Sequence, residues 1–154
     1  MKMTDFLKED AISVSIKSTK KEEVIRELVD LLSKTHSIKD KDMLVGTLMN
    51  REALGSTGIG QGIGIPHAKS NVVKELKAVL GVSARGVDFD SLDGELTHIF
   101  FLLVAPEDAA GPHLKALARI SRMFKDRFLR DALIAVKTEA DAYNIIVKED
   151  EKFA

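Results

Sequence analysis

The sequence predicts an α/β sandwich made of one domain over residues 1–154. Three observations carry that expectation. Segments with the two-residue period of a half-buried strand are interleaved with segments of helical period. The length suits one domain able to enclose its own core. No Pro/Ser-rich linker, like-charge block or fixed-period repeat divides the chain.

Taken in order, residues 11–17 alternate Ile12, Val14 and Ile16 with Ser13, Ser15 and Lys17, the pattern of a strand with one buried face. Thr19 with Glu22 three places later reads as a capping box, and Val24, Ile25, Leu28, Leu31 and Leu32 then share one face of a helix over 20–34. A second helix starts near Asp40 or Asp42, packs Met43, Leu44, Leu48 and Met49, and stops before Gly55, which puts Arg51 in its last turn. Residues 76–84 and 96–104 read as strands separated by a polar stretch with the turn pair Asp93-Gly94. The second is apolar on both faces and is therefore expected to be central. Pro112 suits the first position of a helix that buries Leu114, Leu117, Ala118, Ser121 and Phe124, with His113 in its first turn. Shorter helices over 126–136 and 138–148 follow, the latter capped by Thr138 with Asp141 three residues on.

Composition excludes several classes of function. Twenty-three Lys and Arg against twenty-four Asp and Glu leave a net charge of -1, too little to draw in a polyanion, so nucleic acid is not an expected partner. The absence of cysteine removes disulfides, thiolate zinc sites and thiol nucleophiles, and fits a reducing cytoplasm. The longest apolar run, 99–105, falls far short of the roughly 20 residues of a membrane helix, and the amino terminus lacks an apolar signal core, so direct membrane insertion is not expected. No HxH or HExxH pairing exists among the four histidines, and neither a metal nor another cofactor is expected.

The most unusual feature is a glycine cluster: Gly55, Gly58, Gly60, Gly62 and Gly64 are half of the chain's ten glycines, and the run ends in Ile65-Pro66-His67. It is neither a P-loop, since Ala68 precedes Lys69-Ser70, nor a dinucleotide fingerprint, since no register supplies GxGxxG. Two readings of it stand side by side. Alternate glycines permit a tight loop and close backbone approach with no ligand. Alternatively, the N–H groups around Gly60, Gln61, Gly62 and Gly64 form a concave anion site, with Pro66 directing His67 beside it. A neutral imidazole can accept a phosphoryl group without a metal, provided that charge is stabilised nearby. Arg51 can grip phosphoryl oxygens through two hydrogen bonds, or simply answer the negative end of its own helix. His113, at a helix start, can stabilise an anion or a neighbouring imidazole as a neutral ring, or can be a plain helix-start residue. His98 reads as a core or edge histidine and His36 as a surface residue.

Glu52, Ile59-Gly60 and Ile63-Gly64-Ile65-Pro66-His67-Ala68, at their spacing, resemble the phosphorylation-site signature of type-2 IIA domains of the bacterial phosphoenolpyruvate-dependent sugar phosphotransferase system, the fructose/mannitol class. Gly64 stands where that pattern has alanine. The resemblance extends through 33–70 and 100–121. It implies a mixed sheet flanked by helices, and His67 as a phosphohistidine nucleophile with Arg51 and His113 stabilising the phosphoryl group. It also implies a histidine-containing phosphocarrier protein as donor, a IIB-domain cysteine as acceptor and, indirectly, a membrane IIC permease. A thiol and membrane helices are both missing from this sequence, so acceptor and permease are expected on separate chains. The nitrogen-related branch of the same family, in which phosphorylation state controls binding to target proteins, is the alternative role. A small-anion binding module with no covalent step is a third.

Overall fold

The apolar stretch read as central forms the axis of the structure, a computed structural model that describes residues 1–153. Among these residues the strands are β1 (Ile12–Ser13), β2 (Gly58–Gly60), β3 (Ile63–Gly64), β4 (His67–Lys69), β5 (Lys77–Val87) and β6 (Thr97–Ala105). The helices are α1 (Lys21–Thr35), α2 (Lys41–Ala53), α3 (Ala110–Met123), α4 (Arg127–Ala135) and α5 (Glu139–Asp150). One mixed sheet runs β1-β5-β6-β3-β2, with β4 also on β6. β6 is antiparallel to β5 on one side and parallel to β3 and β4 on the other, and its residues from Ile99 to Ala105, covered on both faces, have no exposed surface. A fully buried Leu or Phe contributes roughly 1.5–3 kcal/mol, which makes this strand a principal source of stability.

Pairing register shows which helix covers which face. Gly81 lies opposite Phe100, and a Cβ on Gly81 would meet Leu28 of α1 at 2.7 Å, so that face carries α1. The next pair, Leu80 and Phe101, points the other way. There the Phe101 ring meets Phe124, just past α3, edge-on with centroids 5.9 Å apart. Helices on both faces make the sandwich. α2 packs on α1 and β4, while α4 rests on β5 and β6. On α3, Arg119 donates from Nε to Asp150 Oδ1 (2.6 Å), and Asp150 Oδ2 accepts from the Met3 N–H (2.8 Å). This buried pair ties α3 to α5 and to the amino-terminal segment.

Several local expectations are corrected. The strand at 11–17 shortens to two residues: the Ile16 N–H still reaches Val82 O of β5 (3.0 Å), but Val14 turns to Glu139, and Lys17 and Ser18 turn to Glu27. Thr19 does not cap α1; Lys20 occupies the cap position without a side-chain bond. Met43 is exposed, while Leu44 and Leu48 face the core. Helix α3 begins two residues earlier than Pro112 and buries His113, Ala116, Ile120 and Met123. Its core face is therefore turned by about one residue, or 100°, from the Leu114–Leu117 stripe. Among the described residues no helix is long and apolar enough to cross a membrane.

Candidate active site

β3 and β4 are two halves of one neighbour to β6, interrupted at Ile65-Pro66. Proline brings no N–H to a ladder. The chain is held there by a bond from the Ile65 N–H back to Thr57 O (3.0 Å) and one from the Leu103 N–H to Pro66 O (3.0 Å). His67 opens β4 opposite Leu103, so its side chain shares the face of Leu103 and Phe101, the face covered by α3.

Between β4, the end of α2 and the start of α3 lies a recess of about 420 Å³, lined by Thr47, Arg51, His67, Lys69, His113, Leu114 and Leu117 among others. The rings of His67 and His113 meet edge to face, centroids 5.5 Å apart at 67°. His67 Nδ1 lies 2.7 Å from the Ile65 carbonyl. A carbonyl only accepts, so Nδ1 carries the proton and Nε2 keeps its lone pair. Burial lowers the His67 pKa, and the Arg51 charge adds to that effect, while the Ile65 bond and the Glu52 charge oppose it. The ring is thus held neutral and nucleophilic at physiological pH. His113 is buried, its Nε2 has no hydrogen-bond partner, and burial, with His67 and Lys69, lowers its pKa too. Arg51 donates from Nη1 to Gly55 O (2.8 Å). One donor thus answers the helix end, while the guanidinium still lines the recess.

The glycines do not join this arrangement. Gly60, Gln61 and Gly62 form the turn of the β2–β3 hairpin with positive φ at all three, and the Gln61 N–H donates to Asp93 Oδ2 (2.9 Å). A carboxylate of the chain itself already takes that donor. Gly60 and Gln61 line a different cleft, with Ser121 and Lys125, at the far end of α3 from His113. β3 pairs β6 at Ile99 and Phe100, three to four residues before the His67 partner Leu103, a separation of about 10–13 Å along the strand. Gly60, Gln61, Gly62 and Gly64, expected beside His67, are therefore not among the residues that line its recess, which come from α2, β4 and α3. Gly64 serves packing: a Cβ there would lie 3.2 Å from Thr97 and 3.4 Å from both Phe89 and Phe100.

A larger cleft, about 880 Å³, borders the recess and shares Thr47 and Lys69 with it, but contains none of Arg51, His67 and His113. Arg51, His67 and His113 border only the smaller space. His98 bonds Ser83 O through Nδ1 (2.9 Å), and the His36 N–H closes α1 on Leu32 O. Sequence reading missed Thr47, Lys69, Leu114 and Leu117 as lining residues. Three of them had a signal: Thr47 and Leu117 fall four residues from Arg51 and His113, and Lys69 two from His67, hence on the same faces, whereas Leu114 had none.

An imidazole of fixed tautomer beside cationic side chains on a mixed α/β sheet defines a domain equipped to handle an anionic group. Residues 5–149 match the family model of the phosphoenolpyruvate-dependent sugar phosphotransferase system, EIIA 2, and the chain belongs to that family. It is 38% identical over 151 residues to the fructose-specific EIIABC component of the Bacillus subtilis phosphotransferase system, matching 98% of this chain but 24% of that protein. It is 32% identical to a nitrogen regulatory protein of Bradyrhizobium diazoefficiens, over 95% of each. The crystal structure of nitrogen regulatory protein IIA-Ntr from Neisseria meningitidis superposes with a TM-score of 0.85 at 30% identity, covering 92% of this chain and 97% of that one.

Proposed function

We propose that this chain is a phosphoryl carrier of a fructose-class sugar phosphotransferase system, acting in the cytoplasm through a phosphohistidine at His67. The observation that carries the reading is the His67 Nδ1–H bond to Ile65, which leaves Nε2 as the free nitrogen in a recess that also holds Arg51 and His113. In the first step the Nε2 lone pair attacks the phosphoryl group on a histidine of the phosphocarrier protein. The donor P–N bond breaks, its electron pair returns to the donor imidazole, and a P–N bond forms at His67. Nδ1 keeps its proton against the Ile65 carbonyl. In the second step a IIB-domain thiolate takes the phosphoryl group as a P–S bond forms and the His67 P–N bond breaks. A membrane IIC permease would use that group on the sugar. The Arg51 guanidinium, by its charge and remaining N–H donors, stabilises the transferred oxygens, and the neutral His113 ring supplies a further hydrogen-bonding nitrogen.

The test is labelling from phosphoenolpyruvate with the two general components. An acid-labile, base-stable phosphate on His67 is expected, and its absence from the His67→Ala protein. Equal labelling of the variant would refute the assignment. The likeness to nitrogen regulatory proteins over nearly their whole length supports a second reading, in which the same phosphohistidine switches affinity for target proteins. Transfer from labelled protein to a fructose-class IIB domain supports the first reading. No transfer, with a target captured in only one phosphorylation state, supports the second.

A further inference from the structure

Beneath His67 lies a carboxylate to which no role has so far been given. Glu52 follows Arg51 on α2, and the 100° step between neighbouring helical residues turns it inward where Arg51 turns toward the recess. Only 5% of it is exposed. Glu52 Oε1 accepts from the Thr57 N–H (3.1 Å), and Oε2 accepts a short bond from the Thr57 hydroxyl. Lys21 Nζ sits 3.1 Å from Oε1, itself steadied by Asp90 at 3.3 Å and by the Phe89 ring at 4.8 Å. A carboxylate this buried persists only with partners of that kind. The chain of bonds continues upward. The Thr57 carbonyl accepts from the Ile65 N–H (3.0 Å), and the Ile65 carbonyl accepts from His67 Nδ1 (2.7 Å).

We propose that Glu52 is a positioning residue for His67: by clamping Thr57 through both its N–H and its hydroxyl, it sets the Ile65 carbonyl that selects the imidazole tautomer and leaves Nε2 reactive. The bond from Leu103 to Pro66 O holds the next residue, but it does not orient the Ile65 carbonyl. That orientation depends on the rung between Thr57 and Ile65, and Thr57 has Glu52 as its anchor. The carboxylate also opposes Arg51 electrostatically, raising the His67 pKa where Arg51 lowers it. Two neighbours in sequence therefore act on one ring with opposite sign.

The bearing of this device on phosphoryl transfer rests on the function proposed above; the tautomer does not. Both can be read separately in wild type, Glu52→Ala, Glu52→Gln and Thr57→Val, by nitrogen NMR of the His67 ring at about pH 8, where the ring is neutral, and by the rate of His67 labelling. Wild type should show a protonated Nδ1 and an unprotonated Nε2. Glu52→Gln offers Thr57 an acceptor and a donor in the same shape and should keep that pattern. Glu52→Ala should mix the tautomers and slow labelling at saturating donor by at least about tenfold. Should Glu52→Ala not fold, Thr57→Val, which removes the hydroxyl bond at nearly constant shape, should show partial mixing and about threefold slower labelling. Wild-type tautomer and rate in folded Glu52→Ala, or in Thr57→Val where the alanine variant does not fold, overturn the proposal. A wild type that takes no label, alongside a Glu52→Ala protein with mixed tautomers, sinks the carrier function and leaves the positioning role standing.

Discussion

Arg51 donates to the Gly55 carbonyl at the end of its own helix and also borders the recess that holds His67. These two jobs can be separated, because they ask different things of the side chain. Satisfying that carbonyl, two residues past the helix, takes one donor and a positive charge, which lysine also supplies. Gripping phosphoryl oxygens in two places takes the planar fork, which lysine lacks. Arg51→Lys is therefore expected to slow labelling of His67 by at least about tenfold, while changing stability by no more than about 1 kcal/mol. Single-turnover labelling and urea unfolding measure the two effects; a wild-type labelling rate would reduce Arg51 to a helix-end residue. His67 differs from Arg51 in that it stood out in the sequence by following Pro66, whereas the acceptor that fixes its tautomer did not. The Ile65 carbonyl is a backbone group, and no residue type in the sequence announces where it points.

Among the elements, capping separates what residue chemistry reveals from what tertiary contacts decide. Asp40, Asp126 and Thr138 all accept from N–H groups in the first turns of α2, α4 and α5; Thr138 was readable as a cap beforehand, and Asp40 as one of two possible starts. Thr19 carries the same signal, yet the chain around it is drawn to Glu27, and α1 starts behind an uncapped Lys20. Thr138→Ala should thus cost about 1 kcal/mol, and Thr19→Ala less than about 0.5 kcal/mol, by urea unfolding. Comparable losses at both would contradict the assignment of α1's start. The helix at Ala110 shows a second limit. Hydrophobicity favours the Leu114 and Leu117 stripe, but His113, Ala116, Ile120 and Met123 have the same spacing and face the sheet. Leu114, 68% exposed, is released from the core and walls the site instead. The long strands were legible from their apolar runs, α1 from its burial period alone, and α2, α4 and α5 from residues able to cap them. The short β2, β3 and β4 were not, since two or three residues are too few to display a period.

For the molecule as a whole, the histidines make folding stability depend on pH in a window that the carboxylates leave clear. Burial lowers the pKa of His67, His113 and His36 alike, with neighbouring positive charge adding to it from Arg51, Lys69 and Lys77 respectively. Near and below the ordinary histidine pKa, about 6.5, the unfolded chain therefore binds more protons than the native one. Stability must rise with pH across that range. The histidine contribution is complete above about 6.5 and is lost as pH falls through the lowered native values. Asp93 and Glu75 are lowered as well, by hydrogen bonds from Gln61 and Lys77 first in each case, so their contribution is lost only below the usual carboxylate range, near about 4. Between pH 7 and 5 the loss belongs mainly to the histidines. His113 should dominate it, because protonating a buried ring beside Lys69 and His67 places a charge where Nε2 has no acceptor. Thermal unfolding from pH 7 to 5 should show Tm falling in wild type and falling less steeply in His113→Gln. An equal slope in the two proteins would mean that the His113 ring reaches solvent on protonation, and that the wall between α3 and β4 opens more readily than its burial indicates.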